Sequence, residues 1–314
     1  MGVALTGSDG GSGLSRMRIS DSGVLSHGVL RSGLEMPWAR TVPGWLLTDR
    51  RWGGHSGDGV HHVYAQLQDA AGNWSRVIRD SIVLDATAPV VSPPDVRFVP
   101  GSQIARSGPP VPLRATFSAT DATSGVAATD LQRRTGGGPW SAVDTGSAVG
   151  TSATLLLADD PSTTQQLRAR ARDAAGSWSP EHPGGTFTIE PLQEDASAWS
   201  YASAWHVAVD ASAYGGATRW ANTAGALATL EFTGTDVALI AVRGPDRGVA
   251  SVSIDGTLVQ TLDLGASHSL PRDIVFAAHV AAGPHVLQVR VSGSNGPAST
   301  GNRVDIDAAV VLAQ

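Results

Sequence analysis

The chain carries "DAAGNWS" at Asp69–Ser75 and "DAAGSWS" at Asp173–Ser179, two heptads that differ only where Asn73 is replaced by Ser177. Each ends or follows a run with period-2 alternation. "VYAQLQD" (Val63–Asp69) sets Val63, Ala65 and Leu67 against Tyr64, Gln66 and Gln68. "LRARARD" (Leu167–Asp173) sets Leu167, Ala169 and Ala171 against Arg168, Arg170 and Arg172. Side chains alternate between the faces of a strand, so this spacing predicts two half-buried strands. Asp-Ala-Ala-Gly then closes a hairpin: the Asp side chain caps the turn, and Gly72 or Gly176 supplies the positive φ it needs. The heptads therefore read as turns and not as reactive motifs. Trp74 and Trp178 start the return strands and are expected to pack across a sandwich.

Other echoes keep the same order. "SDGGSGLSRMRIS" (Ser8–Ser20) resembles "TDATSGVAATDLQ" (Thr120–Gln132), and "MPW" ending at Trp38 answers "GPW" ending at Trp140. The unit is about 100 residues long, a usual size for a β-sandwich. Trp38, Trp74, Trp140 and Trp178 hold equivalent positions, which points to core or sheet packing. "DATAPVVSPP" (Asp85–Pro94) is a proline-stiffened linker. The second unit opens with "PDVRFVPGSQIARSGPPVPLRA" (Pro94–Ala115), for which the first has no counterpart. The first sandwich is thus expected to lack one strand, and Met1 not to be its natural start.

Whole-chain composition agrees. Of 314 residues 41% are hydrophobic, and 37 Gly with 18 Pro punctuate short apolar runs, as in all-β proteins. A net charge of −6 argues against nucleic acid or an anionic membrane as partner. All 22 basic residues are Arg, and the absence of Cys excludes disulfides and thiolate chemistry. No apolar run is long enough to cross a bilayer as a helix.

Beyond about Leu192 the pattern changes. "TLEFTGTDVALIAVRG", "GVASVSIDGTLVQTLDL", "RDIVFAAHV", "GPHVLQVRVSG" and "RVDIDAAVVL" are five strand-like segments. Asp255-Gly256 between alternating runs is a strong hairpin signal. In "VDIDAAVV" the alternation predicts Val304, Ile306, Ala308 and Val310 inward, with Asp305 and Asp307 facing solvent. The fold class expected is all-β: three tandem β-sandwiches over 1–88, 89–191 and 192–314, the last of jelly-roll type.

Two resemblances add to this reading. Asp58, Gly59, Val63, Tyr64, Asp69, Gly72, Asn73, Thr87, Ala88 and Pro89 fall where bacterial immunoglobulin-like surface-protein repeats carry the same residues. The second unit is similar, but has Ser177 for Asn and lacks the Thr-Ala-Pro linker. The last unit resembles the galactose-binding-type sandwich appended to exported bacterial proteins. The marks are Trp205, Tyr214 to Gly216, Asn222 to Gly225, Gly244, Pro245, Arg247, Gly248, Ile254 to Gly256, Gly283, His285 and Val304 to Asp307. The resemblances imply an exported, extracellular or cell-surface location and a carbohydrate-binding terminal module.

Candidate chemistry is sparse. His61 and His62 are neighbours on one strand and point to opposite faces, which prevents chelation of one ion. His285 is read as a structural hairpin residue. The resemblance to sandwich repeats, some of which bind calcium at their junctions, implies Asp69 and Asp173 with Asn73, Asp9 or Asp121 as ligands, but no dense acidic loop is present and turn capping is the reading adopted. No catalytic residue, metal or cofactor is expected. The ligand-binding candidates are the aromatic rings of Trp205 and Tyr214, which could stack on a sugar, and Arg243, Asp246 and Arg247 in the "RGPDRG" loop. Trp220 belongs to the same unit. The partner expected is a glycan or cell-wall polysaccharide. A ligand-free stalk, or the accessory tail of a secreted hydrolase, remain the alternatives.

Overall fold

The computed structural model describes residues 1–104, 110–157, 160–202 and 204–313. The expected opening segment of the second unit runs through 105–109, and that part lies outside the described residues. Among the described residues there are strands, turns and one 3₁₀ turn, Arg50–Trp52, but no α-helix. The paired sheets suit β-sandwiches. The chain divides into two compact units.

The first unit comprises residues 1–90, 120–127 and 172–179. Its main sheet runs in the order Leu34–Pro37, Leu14–Ser20, Gly59–Asp69 and Ile78–Leu84, all antiparallel. Val3–Ala4 pairs with Thr41–Val42 in a second small sheet. The core lies between: Met17, Ile19, Val63, Ala65 and Leu67 meet Val3, Leu5, Val42, Trp45 and Leu47. The predicted alternation along Val63–Asp69 holds on this inner face. On the outer face Gln66 departs from it, being buried. The loop ahead of Leu30 folds over it, so that Gln66 accepts from the Leu30 amide at 2.8 Å and donates to the Gly28 and Ser75 carbonyls at 2.9 and 3.0 Å.

Both heptads make the same turn. The Asp69 amide donates to the Asn73 carbonyl at 3.1 Å, and that of Asp173 to Ser177 at 3.0 Å. Asp69 Oδ1 accepts from the Asn73 amide at 2.8 Å, as Asp173 Oδ1 accepts from Ser177 at 2.8 Å. Gly72 and Gly176 sit at φ 93° and 106°, which side chains rarely adopt. The tryptophans are not core residues. Trp74 is half-buried and Trp178 is 41% exposed, each paired across the turn with Gln68 or Arg172. Arginines cover them instead, Arg18 over Trp74 at 5.1 Å and Arg172 over Trp178 at 5.6 Å.

The second unit comprises residues 91–119, 128–171 and 180–314. Asp95–Phe98, Val111–Thr116 and Ser152–Leu157 form one antiparallel sheet. A longer sheet contains Gln165–Asp173, His182–Gln193, Val304–Ala313, Leu227–Arg243, Leu270–Asn295, Gly248–Ile254 and Thr257–Asp263 in that order. The strand His182–Gln193 is shared. Its first half pairs with Gln165–Asp173, while Thr188–Gln193 pairs with Ala308–Ala313. The boundary expected at 191/192 thus falls inside one strand. Two segments read as separate, "RDIVFAAHV" and "GPHVLQVRVSG", are one strand, Leu270–Asn295, which passes through Gly283 at φ 149°.

The expectation for Asp305 and Asp307 is corrected. Both are buried, at 1% and 0% exposure. Val304–Ala313 is an interior strand whose residues are buried on both faces up to its last position, and alternation cannot mark a solvent face where none exists.

Candidate functional site

The five residues singled out from sequence do not converge. Tyr214 is 4% exposed, so its ring cannot receive a sugar; its amide donates to both carboxylate oxygens of Asp307, at 3.0 and 3.1 Å. Trp205 is half-buried against the terminal core, with its ring 5.4 Å from that of Tyr201. Arg243 donates to the Gly265 carbonyl at 3.1 Å and lies 3.6 Å from the buried Asp273. Arg247 is paired through Nε with the buried Asp305 at 2.7 Å and with the exposed Asp246 beside it. Arg303 joins the same carboxylate, its Nε donating at 2.9 and 3.0 Å. Two of the three polar candidates therefore neutralise interior carboxylates. Trp220 is covered as well, by Arg303 at 4.5 Å and His206 at 4.8 Å.

These arginines meet a need the fold creates. Removing a carboxylate from water favours its neutral form unless a cation compensates. Burial raises the pKa of Asp273 despite Arg243, and of Asp236 despite His279 and Arg97. Asp307 is the extreme case. Burial first, and then the charge of Glu194, push it up to about 8. Glu194 is itself raised, again mainly by burial.

A different place offers an open surface. A cleft of about 420 Å³ lies among Glu190, Leu192, Glu231, Phe232, Asp255 and His285. Its long wall is one register: Glu231 faces Val286, Phe232 faces His285 and Thr233 faces Pro284 across antiparallel strands. Alternation places Phe232 inward and leaves Glu231 and Thr233 exposed. Leu192 and Val286 supply the apolar part of the lining beside hydroxyl and carboxylate oxygens, and Phe232, only 5% exposed, lies behind them in the core.

His285 holds one rim of this cleft. Asp255 and Gly256, at φ 50° and 77°, form the hairpin corner expected from "SIDGTL". Asp255 Oδ2 lies 2.7 Å from His285 Nδ1, and Oδ1 accepts from the Val286 amide at 2.9 Å. His285 Nε2 is 2.7 Å from the Ala281 carbonyl. Both partners are acceptors, an arrangement that favours the doubly protonated imidazolium form. Its pKa is accordingly raised by Asp255, while the Val286 amide and His285 hold Asp255 low. His285 thus has the structural hairpin role read from sequence. Glu231, Phe232 and Thr233 were missed. Their signal is a strand-face pair of polar side chains around one aromatic, which is common to any half-buried strand.

No family model matches the chain, and no curated protein matches it. Among solved structures, it is similar to a family 35 carbohydrate-binding module from Clostridium thermocellum, with 16% identity over 40% of this chain and all of that one, TM-score 0.29. It is similar to a two-domain esterase active on acetylated mannans, with 15% identity over 40% of this chain and 36% of that one, TM-score 0.30. A Paenibacillus xanthan lyase shares 11% identity over 82% of this chain and 25% of its own, TM-score 0.33. The chain spans about a third of the esterase and a quarter of the lyase.

Proposed function

We propose that this chain is a non-catalytic accessory segment of an exported bacterial protein. In it, two immunoglobulin-like repeats over 1–88 and 89–191 carry a galactose-binding-like sandwich, 192–314, that binds a neutral glycan. The observation that carries the reading is the open cleft with its partly apolar lining and its rim of Glu190, Glu231, Thr233 and Asp255. Sugar hydroxyls donate to such acceptors while the C–H face of a pyranose rests on apolar side chains. The partner is polysaccharide and not nucleic acid, because the rim repeats the negative sign of the whole chain. Binding without turnover fits the state of His285, whose two nitrogens both face acceptors and leave its ring no lone pair to act as a base.

A ligand-free stalk is the second reading, favoured by the burial of Tyr214 and the engagement of Arg243 and Arg247 with interior carboxylates. A glycan array probed with the full chain separates the two. The binding reading predicts retention on a subset of neutral glycans, weakened at least tenfold by Glu231→Ala and unchanged by Asp246→Ala. No retention on any glycan leaves the stalk. Loss with Asp246→Ala alone returns the site to the "RGPDRG" loop.

A further inference from the structure

Two strands of the first unit leave a main-chain edge unpaired on either side of one groove. Val3–Ala4 pairs only with Thr41–Val42, and Ile78–Leu84 is the outermost strand of its sheet. The groove between them, of about 400 Å³, is lined by residues 1–6 on one side and 78–82 on the other, with Val63 and Ala65 at its base. Val63 faces Asp80 and Ala65 faces Ile78 across the paired strands, so Ile78, Asp80 and Ile82 belong to the inner face of the sandwich. An inner face is the one a sandwich buries, yet Met1, Ile78 and Ile82 are 45%, 46% and 40% exposed.

The second repeat shows what fills the corresponding place. Asp9 and Asp121 cap equivalent loops, accepting from the amides of Gly13 at 2.6 Å and Gly125 at 2.7 Å. Counted back from these acids, Val3 answers Ala115 and Met1 answers Leu113. His61 and Gln165 stand equally far before the two heptad acids, and they face Ile82 and Phe187 respectively. In the second repeat the edge is taken: Asp95–Phe98 pairs antiparallel with Val111–Thr116, setting Val96 against Ala115 and Phe98 against Leu113. Pro94, just ahead of it, reaches Gly184, where a Cβ would stand 2.5 Å from the Pro94 carbonyl oxygen. With that strand in place Leu113 and Phe187 are buried, whereas their counterparts Met1 and Ile82 are open. Among the described residues the first unit has no strand at this position.

We propose that the groove of the first unit docks one β-strand of a separate polypeptide. The strand is extended, about five residues long, apolar at alternate positions as Val96 and Phe98 are, and basic at its N-terminal end. It runs antiparallel to residues 1–5, bonds to their free main-chain edge and covers Met1, Ile78 and Ile82. The basic end follows from one difference between the repeats. Asp80 holds the place of Gly184, so its side chain excludes a carbonyl like that of Pro94 and presents a carboxylate instead. Asp80 Oδ1 accepts from the Ser81 amide at 2.8 Å, and among the described residues no cation is paired with this acid.

The probe is a labelled synthetic peptide with the sequence of residues 93–99 carrying Pro94→Lys, titrated into the full chain and followed by fluorescence anisotropy. One peptide per chain should bind, and hydrogen exchange should slow at residues 3–6 and 78–83. Asp80→Lys should weaken the complex about fivefold, and a peptide with Pro94→Glu should recover that loss. Ile82→Asp should weaken it at least as much; both side chains are exposed, so both variants keep the fold. The proposal is overturned by no binding at millimolar peptide, by a complex indifferent to both variants, or by protection at 113–116 in place of 3–6. It is overturned equally by a dimer of the chain that protects 3–6 and 78–83 before peptide is added, since a second copy then fills the groove. None of these results depends on whether the cleft binds glycan.

Discussion

Asp307 shows what a single side chain does to this fold. It is buried among other acids, and its pKa is pushed from the ordinary carboxylate range up to about 8. Between those values the native state holds a proton that the unfolded chain has released, so stability falls as pH rises from about 4 to about 8. Asp307→Asn removes that titration and keeps an acceptor for the Tyr214 amide. Denaturation midpoints followed against pH should therefore decline less steeply for the variant, which should be the more stable protein at pH 8. An unchanged slope would mean that Asp307 is charged in the native state. At this scale the sequence misled in a particular way. "VDIDAAVV" alternates like a half-buried strand, but it lies in the interior, and the arginines expected to meet a sugar, Arg243 and Arg247, instead meet buried Asp273 and Asp305. Nothing in the order of residues distinguishes an arginine that faces a ligand from one that neutralises the protein's own interior.

The elements were far more legible, because their signals are local. Alternation at Val63–Leu67 and Leu167–Ala171, the two Asp-Ala-Ala-Gly turns, and Asp255-Gly256 all appear where the spacing predicts them. What escaped was set by long-range packing: the loop that buries Gln66, the surface stacking of Trp74 and Trp178 under arginines, and the fusion of two expected strands into Leu270–Asn295. The turns also make a quantitative claim. Gly176 sits at φ 106° with open space where a Cβ would project, so Gly176→Ala carries backbone strain and no clash. A left-handed conformation forced on alanine costs about 1–2 kcal/mol. Gly72→Ala, at φ 93° and equally open, should cost the same. Urea denaturation of both variants measures this; a loss well below about 0.5 kcal/mol in either would mean that its turn relaxes into another form.

For the whole molecule, composition and turn density indicate an all-β chain, but not how its parts cohere. Three sandwiches are expected from sequence, and the contacts divide the chain into two compact units. The reason is the strand His182–Gln193, which gives one half to each of two sheet partners, so the segments on either side of residue 191 share backbone hydrogen bonds. Arg97 adds to this by pairing with the buried Asp236 at 3.1 Å. Scanning calorimetry of the full chain should accordingly resolve two unfolding transitions, and three would show that residue 191 separates independent domains after all. The functional claim rests on the cleft around Phe232 and His285, and hydrogen exchange with and without a glycan retained on the array tests it most directly. Slower exchange at 231–233 and at His285 and Val286 on ligand addition is the predicted result; protection confined to Trp205 and the amides of 243–247, or none anywhere, would contradict it.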